Sequence, residues 1–199
     1  MRTANPCDDR RLGRHERGAS GVLAAVTTTC EHVSKGPQLP TLIACVREPP
    51  GMPDVLETLI ENREMVQPTH ANNLETAHGG NVMLWMDEIG AMSAMRFSGE
   101  TCVTARVDRM NFERPIEVGD VAFISAYVYD TGRTSVKVRI RTYREDLRTR
   151  SREKTTESVF TFVAIDDDRT PTTVPALTTS TEEGEALRQS ALEYETNGR

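Results

Sequence analysis

Apolar residues three and four apart dominate the stretch HGGNVMLWMDEIGAMSAMRF, His78 to Phe97. Val82, Met83, Leu84, Trp85, Met86, Ile89, Met92 and Met95 occupy nearly the whole circumference of the helix this spacing predicts, so that helix is buried on most sides. From residue 101 the repeat shortens from about 3.6 to about 2, the strand period. TCVTARVDRMNF reads as one strand, the loop ERPIEVGD follows, and VAFISAYVY forms a second strand closed by the turn DTGR. In TSVKVRIRTY, Val136, Val138 and Ile140 alternate with Lys137, Arg139 and Arg141, which predicts a strand with one wet face. After the polar EDLRTRSRE, the alternation in TTESVFTFVAIDDD predicts a last long strand. Consecutive hairpins of this kind favour an antiparallel meander.

The layout is α+β: one long central helix wrapped by a twisted antiparallel sheet whose dry face the helix covers. A helix wrapped by its own sheet still has one bare side, and a second copy of the chain is expected there. The tail, residues 178–199, has helical composition and is expected to fray after about residue 195. Residues 1–51 show no sustained period and read as a disordered or loosely attached extension. The pattern becomes regular at Met52, where PDVLETLIENREMV places Val55, Leu59 and Ile60 among acids. The expected organisation is an extension over 1–51 with Met52 as the native start, a folded domain over 52–177, and the tail.

Charge narrows the candidate partners. Residues 1–51 hold 7 basic and 5 acidic side chains, a balance of +2, so the remaining 17 and 25 leave −8 for residues 52–199. An acidic body without a basic stripe argues against nucleic acid and against an anionic membrane surface. No run approaches the roughly eighteen apolar residues of a membrane span, and the N-terminus lacks a leader pattern, so a cytoplasmic location is expected. The four cysteines show no CxxC spacing, which favours neither a disulfide framework nor a zinc site.

The helix carries an unusual pair of acids, Asp87 and Glu88, with no basic neighbour one turn away. Burying an unpaired carboxylate is costly. Either acid could therefore face solvent or pair with an arginine of the sheet such as Arg106; alternatively, one is a positioned base or nucleophile, for which Gly90 and Ala91 leave room beside Asp87. Upstream, Gly79 and Gly80 open the helix, where backbone N–H groups and the helix dipole can approach a ligand oxygen and polarise a carbonyl. A plain turn would use glycines equally well. His70 and His78 read either as caps or as bases.

HANN, HGG and WMDE, then CVTARVDRMNFERPIEVGD, TGRTSV and FTFVAIDDD, occur in an order and spacing that resembles hot-dog-fold acyl-CoA thioesterases, the group of YciA-like and cytosolic acyl-CoA hydrolases. The resemblance spans roughly residues 62–177. It implies the hot-dog fold, with two subunits pairing their sheets into homodimers or trimers of dimers, and a thioester hydrolase whose only small-molecule partner is acyl-CoA, with no metal or redox cofactor. It further implies that Gly79 and Gly80 polarise the thioester carbonyl, that Asp87 from the other subunit's helix acts as base or nucleophile, and that Asn72 orients water or substrate. Contacts to coenzyme A are implied at Ala105, Arg106 and Val107, at Thr134, Ser135 and Val136, and at Arg188. One departure stands out: that family commonly has Gly, then Asn, Asp or Thr, before the glycine motif, whereas Glu75 and Thr76 stand here. Such a change is expected to alter the loop or narrow acyl specificity. A hot-dog enoyl-CoA hydratase and a non-catalytic acyl-CoA-binding module are the alternatives.

Overall fold

The computed structural model describes residues 52–197; the extension expected over residues 1–51 lies outside them. Helix α1 (Gly79–Ser98) and helix α2 (Glu182–Asn197) lie with a sheet of five strands, β1 (Ile60–Met65), β2 (Thr101–Val107), β3 (Val121–Thr131), β4 (Ser135–Glu145) and β5 (Arg152–Ile165). Their order across the sheet is β1-β3-β4-β5-β2, with antiparallel pairing throughout. This is the long helix and curled antiparallel sheet of the hot-dog fold.

Helix α1 forms where the 3.6 period is strongest. Val82, Trp85, Met86, Ile89, Ala94 and Phe97 are buried, and they pack onto Val136, Val138, Ile140, Phe160 and Phe162 from the inner face of the sheet. Its last turn closes on Gly99, left-handed at φ 73°, whose N–H donates to the Met95 carbonyl. Gly90 lets the helix approach the sheet: a Cβ there would meet Ile140 Cδ1 at 2.5 Å and Phe162 Cζ at 3.0 Å. One side of the helix is bare in the single chain, where Met83, Leu84, Met92 and Met95 remain exposed.

Two features differ from the sequence reading. A strand, β1, precedes the helix; its residues IENREM are mostly polar and exposed because it pairs only on one side, with β3. The meander holds only for β3, β4 and β5, because β2 returns to pair with β5, Thr101 opposite Ile165. In addition, the face of Lys137, Arg139 and Arg141 is not simply wet. Helix α2 lies over it, with Leu187, Ala191, Leu192 and Tyr194 against Tyr127, Tyr129 and Val159. The tail is tied to the start of the domain as well: Val55 N–H donates to the Thr178 carbonyl at 3.1 Å, and Asp54 accepts the Leu56 and Ser180 N–H groups, which hold its carboxyl below its ordinary pKa.

Candidate active site

The two glycines at the start of α1 are not equivalent. His78 is the N-cap, and its Nδ1 accepts the Gly80 N–H at 3.0 Å. The Gly79 N–H has no acceptor among the described residues, so it is the free donor of the helix N-terminus. His70 supports the same corner: its carbonyl accepts the His78 N–H at 2.8 Å and the Asn81 side chain at 2.9 Å, its Nδ1 accepts the Gln67 N–H, and its ring meets Trp85 edge-on at 5.2 Å. Both histidines are caps.

The preceding loop is built around Asn72. Its Oδ1 accepts the Leu74 N–H at 2.8 Å, and its Nδ2 donates to Thr76 Oγ1 at 3.0 Å, which leaves the second amide proton unused. Glu75 within this turn stands at φ 59°, the left-handed region that glycine enters freely. Glu75 holds this conformation at a cost in backbone strain that a glycine would not incur. The loop is stitched to the segment after β2, with Ala77 N–H on the Ile116 carbonyl at 2.7 Å and Val118 N–H on the Glu75 carbonyl at 3.0 Å. Between these pieces lies a cleft of about 360 Å³, lined among others by Asn72, Gly79, Val82, Phe112, Ile116 and Thr155. Asn72 and Gly79, separate candidates in the sequence, thus meet in one cavity.

Asp87 is elsewhere. Eight residues along the helix from Gly79 correspond to about 12 Å, and Asp87 is half-buried against β2, where Thr104 Oγ1 donates to its Oδ1. The arginine partner considered above is not its own, for Arg106 pairs with Asp108. Glu88 is exposed. Thr104 escaped the sequence reading. Its signal is the strand alternation from buried Cys102, which turns residue 104 to the helix side.

Those neighbours serve differently. Thr104 pairs with Phe162 and Arg106 with Thr161, so Ala105 is the extra residue of a β-bulge. Arg106 and Val107 are exposed on the same edge. Val136 also pairs with Phe162, which puts Thr134–Val136 in the same row as Thr104, two strands away or about 10 Å. The Val136 side chain is wholly buried and its backbone is paired on both sides, with Thr131 and Phe162; Ser135 is half-buried, and the Thr134 carbonyl accepts the Ala164 N–H. Arg188 lies on α2, across the sheet from α1, and its Nε donates to the Tyr129 carbonyl at 3.2 Å.

Comparison with known proteins gives the family. The Thioesterase superfamily matches residues 74–151. An uncharacterized acyl-CoA thioester hydrolase of Bacillus subtilis, YkhA, is 34% identical over 137 residues, 69% of this chain and 80% of that protein. The chain belongs to the thioesterase superfamily. Among solved thioesterases, an acyl-CoA hydrolase from Staphylococcus aureus in complex with butyryl coenzyme A, coenzyme A and coenzyme A disulfide superposes with a TM-score of 0.68 at 28% identity, covering 74% of this chain and 90% of that one. An apo-hexameric acyl-CoA thioesterase superposes with a TM-score of 0.65 at 35% identity, covering 72% and 92%. For the Staphylococcus aureus hydrolase, structures are also known in which an asparagine, an aspartate or a threonine is replaced by alanine; the aspartate follows the asparagine by 15 positions and precedes the threonine by 17.

Proposed function

We propose that the protein is an acyl-CoA thioesterase that hydrolyses the thioester of acyl-CoA to free coenzyme A and a carboxylic acid. The observation that carries the reading is the Asp87–Thr104 pair on an open sheet edge, in a chain whose relatives are named acyl-CoA thioester hydrolases. The spacing supports it: Asn72, Asp87 and Thr104 stand 87 − 72 = 15 and 104 − 87 = 17 positions apart, as do the three residues replaced in the Staphylococcus aureus enzyme.

The chemistry follows from these groups. A thioester is activated, so a polarised carbonyl, a base and a water suffice, and no cofactor is required. The Gly79 N–H, at the positive end of the helix dipole, donates to the carbonyl oxygen and stabilises the charge that develops there. Asp87 takes the proton of the attacking water, or attacks the carbonyl itself, while the Thr104 hydroxyl fixes its orientation. The free amide proton of Asn72 holds the water or the substrate oxygen. With Asp87 as base, collapse of the tetrahedral intermediate breaks the C–S bond and the coenzyme leaves as the thiol with the proton that Asp87 took from water; with Asp87 as nucleophile, collapse leaves an acyl–Asp87 anhydride and a thiolate that takes its proton from solvent, and water then cleaves the anhydride to the free acid.

Within one subunit Gly79 and Asp87 are too far apart to serve one carbonyl. Two subunits joined through β2 and the bare side of α1 would bring the glycine end of one helix to the aspartate of the other, in a homodimer or a trimer of dimers. In this reading the coenzyme runs along the shared edge past Ala105, Arg106 and Val107 and the turn at Thr134–Val136, and Arg188 meets a phosphate. Residues 52–177 form the thioesterase domain and 178–199 a tail, whose helix α2 braces the domain; the polyanionic substrate does not cross a bilayer unaided, which favours a cytoplasmic site of action. A binding module has no use for a carboxylate held beside a carbonyl site by a threonine, and the Asp and His pair usual in hot-dog hydratases is replaced here by Asp87 and Thr104.

A hydrolysis screen with short, medium and long acyl-CoAs and a thiol-reactive dye tests the proposal. Release of stoichiometric free thiol is expected for at least one chain length, whereas binding without thiol release would leave the binding module standing.

A further inference from the structure

Inside the cleft beside Gly79, one polar group has no role in holding the fold. Thr155 is 1% exposed and lines the cleft, yet its Oγ1 has no hydrogen-bond partner among the described residues. A buried hydroxyl without a partner costs stability, and such groups are rare enough in folded proteins to need a reason.

The backbone puts it there by a specific device. Thr142 pairs with Thr156, but Tyr143 pairs with Lys154, so Thr155 is the extra residue of a β-bulge in β5. Bulges re-aim a side chain and are common beside active sites. Here the bulge turns both Thr155 and Thr156 inward, where strict alternation would have sent one of them out. The Thr155 carbonyl accepts the Glu113 N–H at 2.8 Å, which fastens the bulge to the segment forming the cleft wall. The cleft wall mixes hydrocarbon from Ala77, Val82 and Ile116 with the polar Asn72, Thr76 and Arg114. Gly79 is half-buried and Phe112 is 49% exposed at the open side of the cleft, whereas Val82, Ile116 and Thr155 are the buried members of its lining.

We propose that the Thr155 hydroxyl recognises an oxygen on the acyl chain, so that the cleft selects short acyl groups bearing a hydroxyl or oxo substituent over plain alkyl groups of the same length. The inference rests on the acyl-CoA reading above, with the thioester carbonyl at Gly79 and the chain directed inward. A threonine hydroxyl both donates and accepts, so it can serve either substituent. An alkyl chain would leave it unpaired, and a site holding a buried polar group rejects the analogue that lacks its partner.

The test compares kcat/KM for butyryl-CoA with kcat/KM for its hydroxybutyryl and oxobutyryl counterparts, with the oxygen at the third carbon or at the chain end, in wild type, Thr155→Val and Thr155→Ser. Wild type is expected to prefer at least one oxygenated member by about tenfold, the gain of roughly one buried hydrogen bond. Thr155→Val, which keeps the shape and removes the hydroxyl, is expected to abolish that preference without losing butyryl-CoA hydrolysis, and Thr155→Ser to retain it. A preference absent in wild type, or equal in wild type and Thr155→Val, overturns the assignment to Thr155 and leaves thioester hydrolysis intact. If Thr155→Val does not fold, loss of the preference in Thr155→Ser overturns it and retention supports it. Failure of wild type to hydrolyse any member overturns the thioesterase reading and this inference with it.

Discussion

The two faces of the sheet are closed in opposite ways. Under α1 the inner face is hydrocarbon, Val136, Val138, Ile140, Phe160 and Phe162, and its rim stays open at β2 and at the exposed methionines of the helix. Under α2 the outer face is tyrosine and charge. Arg139 pairs with Glu157 at 2.9 Å with both side chains nearly buried, Lys154 joins the same carboxylate at 2.8 Å, and Lys137 reaches Glu195 at 3.0 Å and Asp130 at 3.1 Å. Buried charges are tolerated only when paired, and a pair is far more sensitive to losing one partner than to replacing both. The outer face is therefore a lock sealed by the chain's own tail. The inner face, apolar and open at one edge, is where Gly79, Asn72, Asp87 and Thr104 all lie.

The largest effect expected from this division is catalytic and confined to the inner face. Asp87→Asn keeps the size of the side chain and an oxygen for Thr104 to donate to, but removes the carboxylate that the proposed reaction uses as base or nucleophile; kcat is expected to fall by about 10²–10⁴ or more, the range for losing a general base, with the thermal midpoint unchanged. A loss below tenfold would remove Asp87 from the chemistry. Mixing Asp87→Asn protomers with Gly79→Val protomers, each inactive alone, is expected to restore activity if the glycine and the aspartate of one site come from different subunits.

On the outer face the same kind of change is expected to act on stability alone. Glu157→Gln leaves Arg139 buried without its carboxylate and should destabilise by about 3 kcal/mol, the lower end for stripping one partner from a buried pair. Burial pushes the Glu157 carboxyl up, but hydrogen bonds from Lys154 and Arg139 outweigh it and hold the group below its ordinary value. A carboxylate depressed in the folded state binds its proton more tightly when unfolded, so its stabilisation is present above the unfolded value of about 4.3 and is lost as pH falls through the folded one. Wild type should therefore lose stability below about pH 4 more steeply than Glu157→Gln, as followed by denaturant unfolding at stepped pH. Equal slopes would take Glu157 out of the acid response.

The inner face was legible in the sequence because its determinants are local. Helix α1 declares itself by a 3.6 period and its terminal glycines, and β3, β4 and β5 by alternation. What stayed hidden depends on pairing between distant residues. The alternation of Lys137, Arg139 and Arg141 reports polarity, which looks the same whether water or Glu157 and Glu195 answer it. Strand β1 has too polar a sequence to announce itself, and its place comes from the register Ile60 opposite Ala126. The pairing of β2 with β5 across the intervening strands is topological. At the site, Gly79 and Gly80 read alike until His78 is seen to cap only the second. Thr104 is in phase with buried Cys102 and so is legible as facing the helix, but nothing local marks it as the partner of Asp87, and the bulge at Ala105 that follows is invisible without the partner strand.

The smallest effect concerns the price of the inner face's geometry. Glu75 holds φ 59° in the loop that aligns Asn72 with the cleft, and a side chain in that region costs roughly 1–2 kcal/mol that glycine does not incur. Glycine loses about 0.5–1 kcal/mol through the greater freedom of its unfolded chain. Glu75→Gly is thus expected to stabilise by under about 1 kcal/mol, whereas Glu75→Val, with a branched Cβ in the same conformation, should destabilise by more than that. Because either variant keeps the Asn72 hydrogen bonds as long as the turn survives, Glu75→Gly should leave kcat unchanged. A fall in kcat with increased stability would mean that the strained turn itself sets the position of Asn72, which would make the loop a part of the catalytic geometry rather than its support.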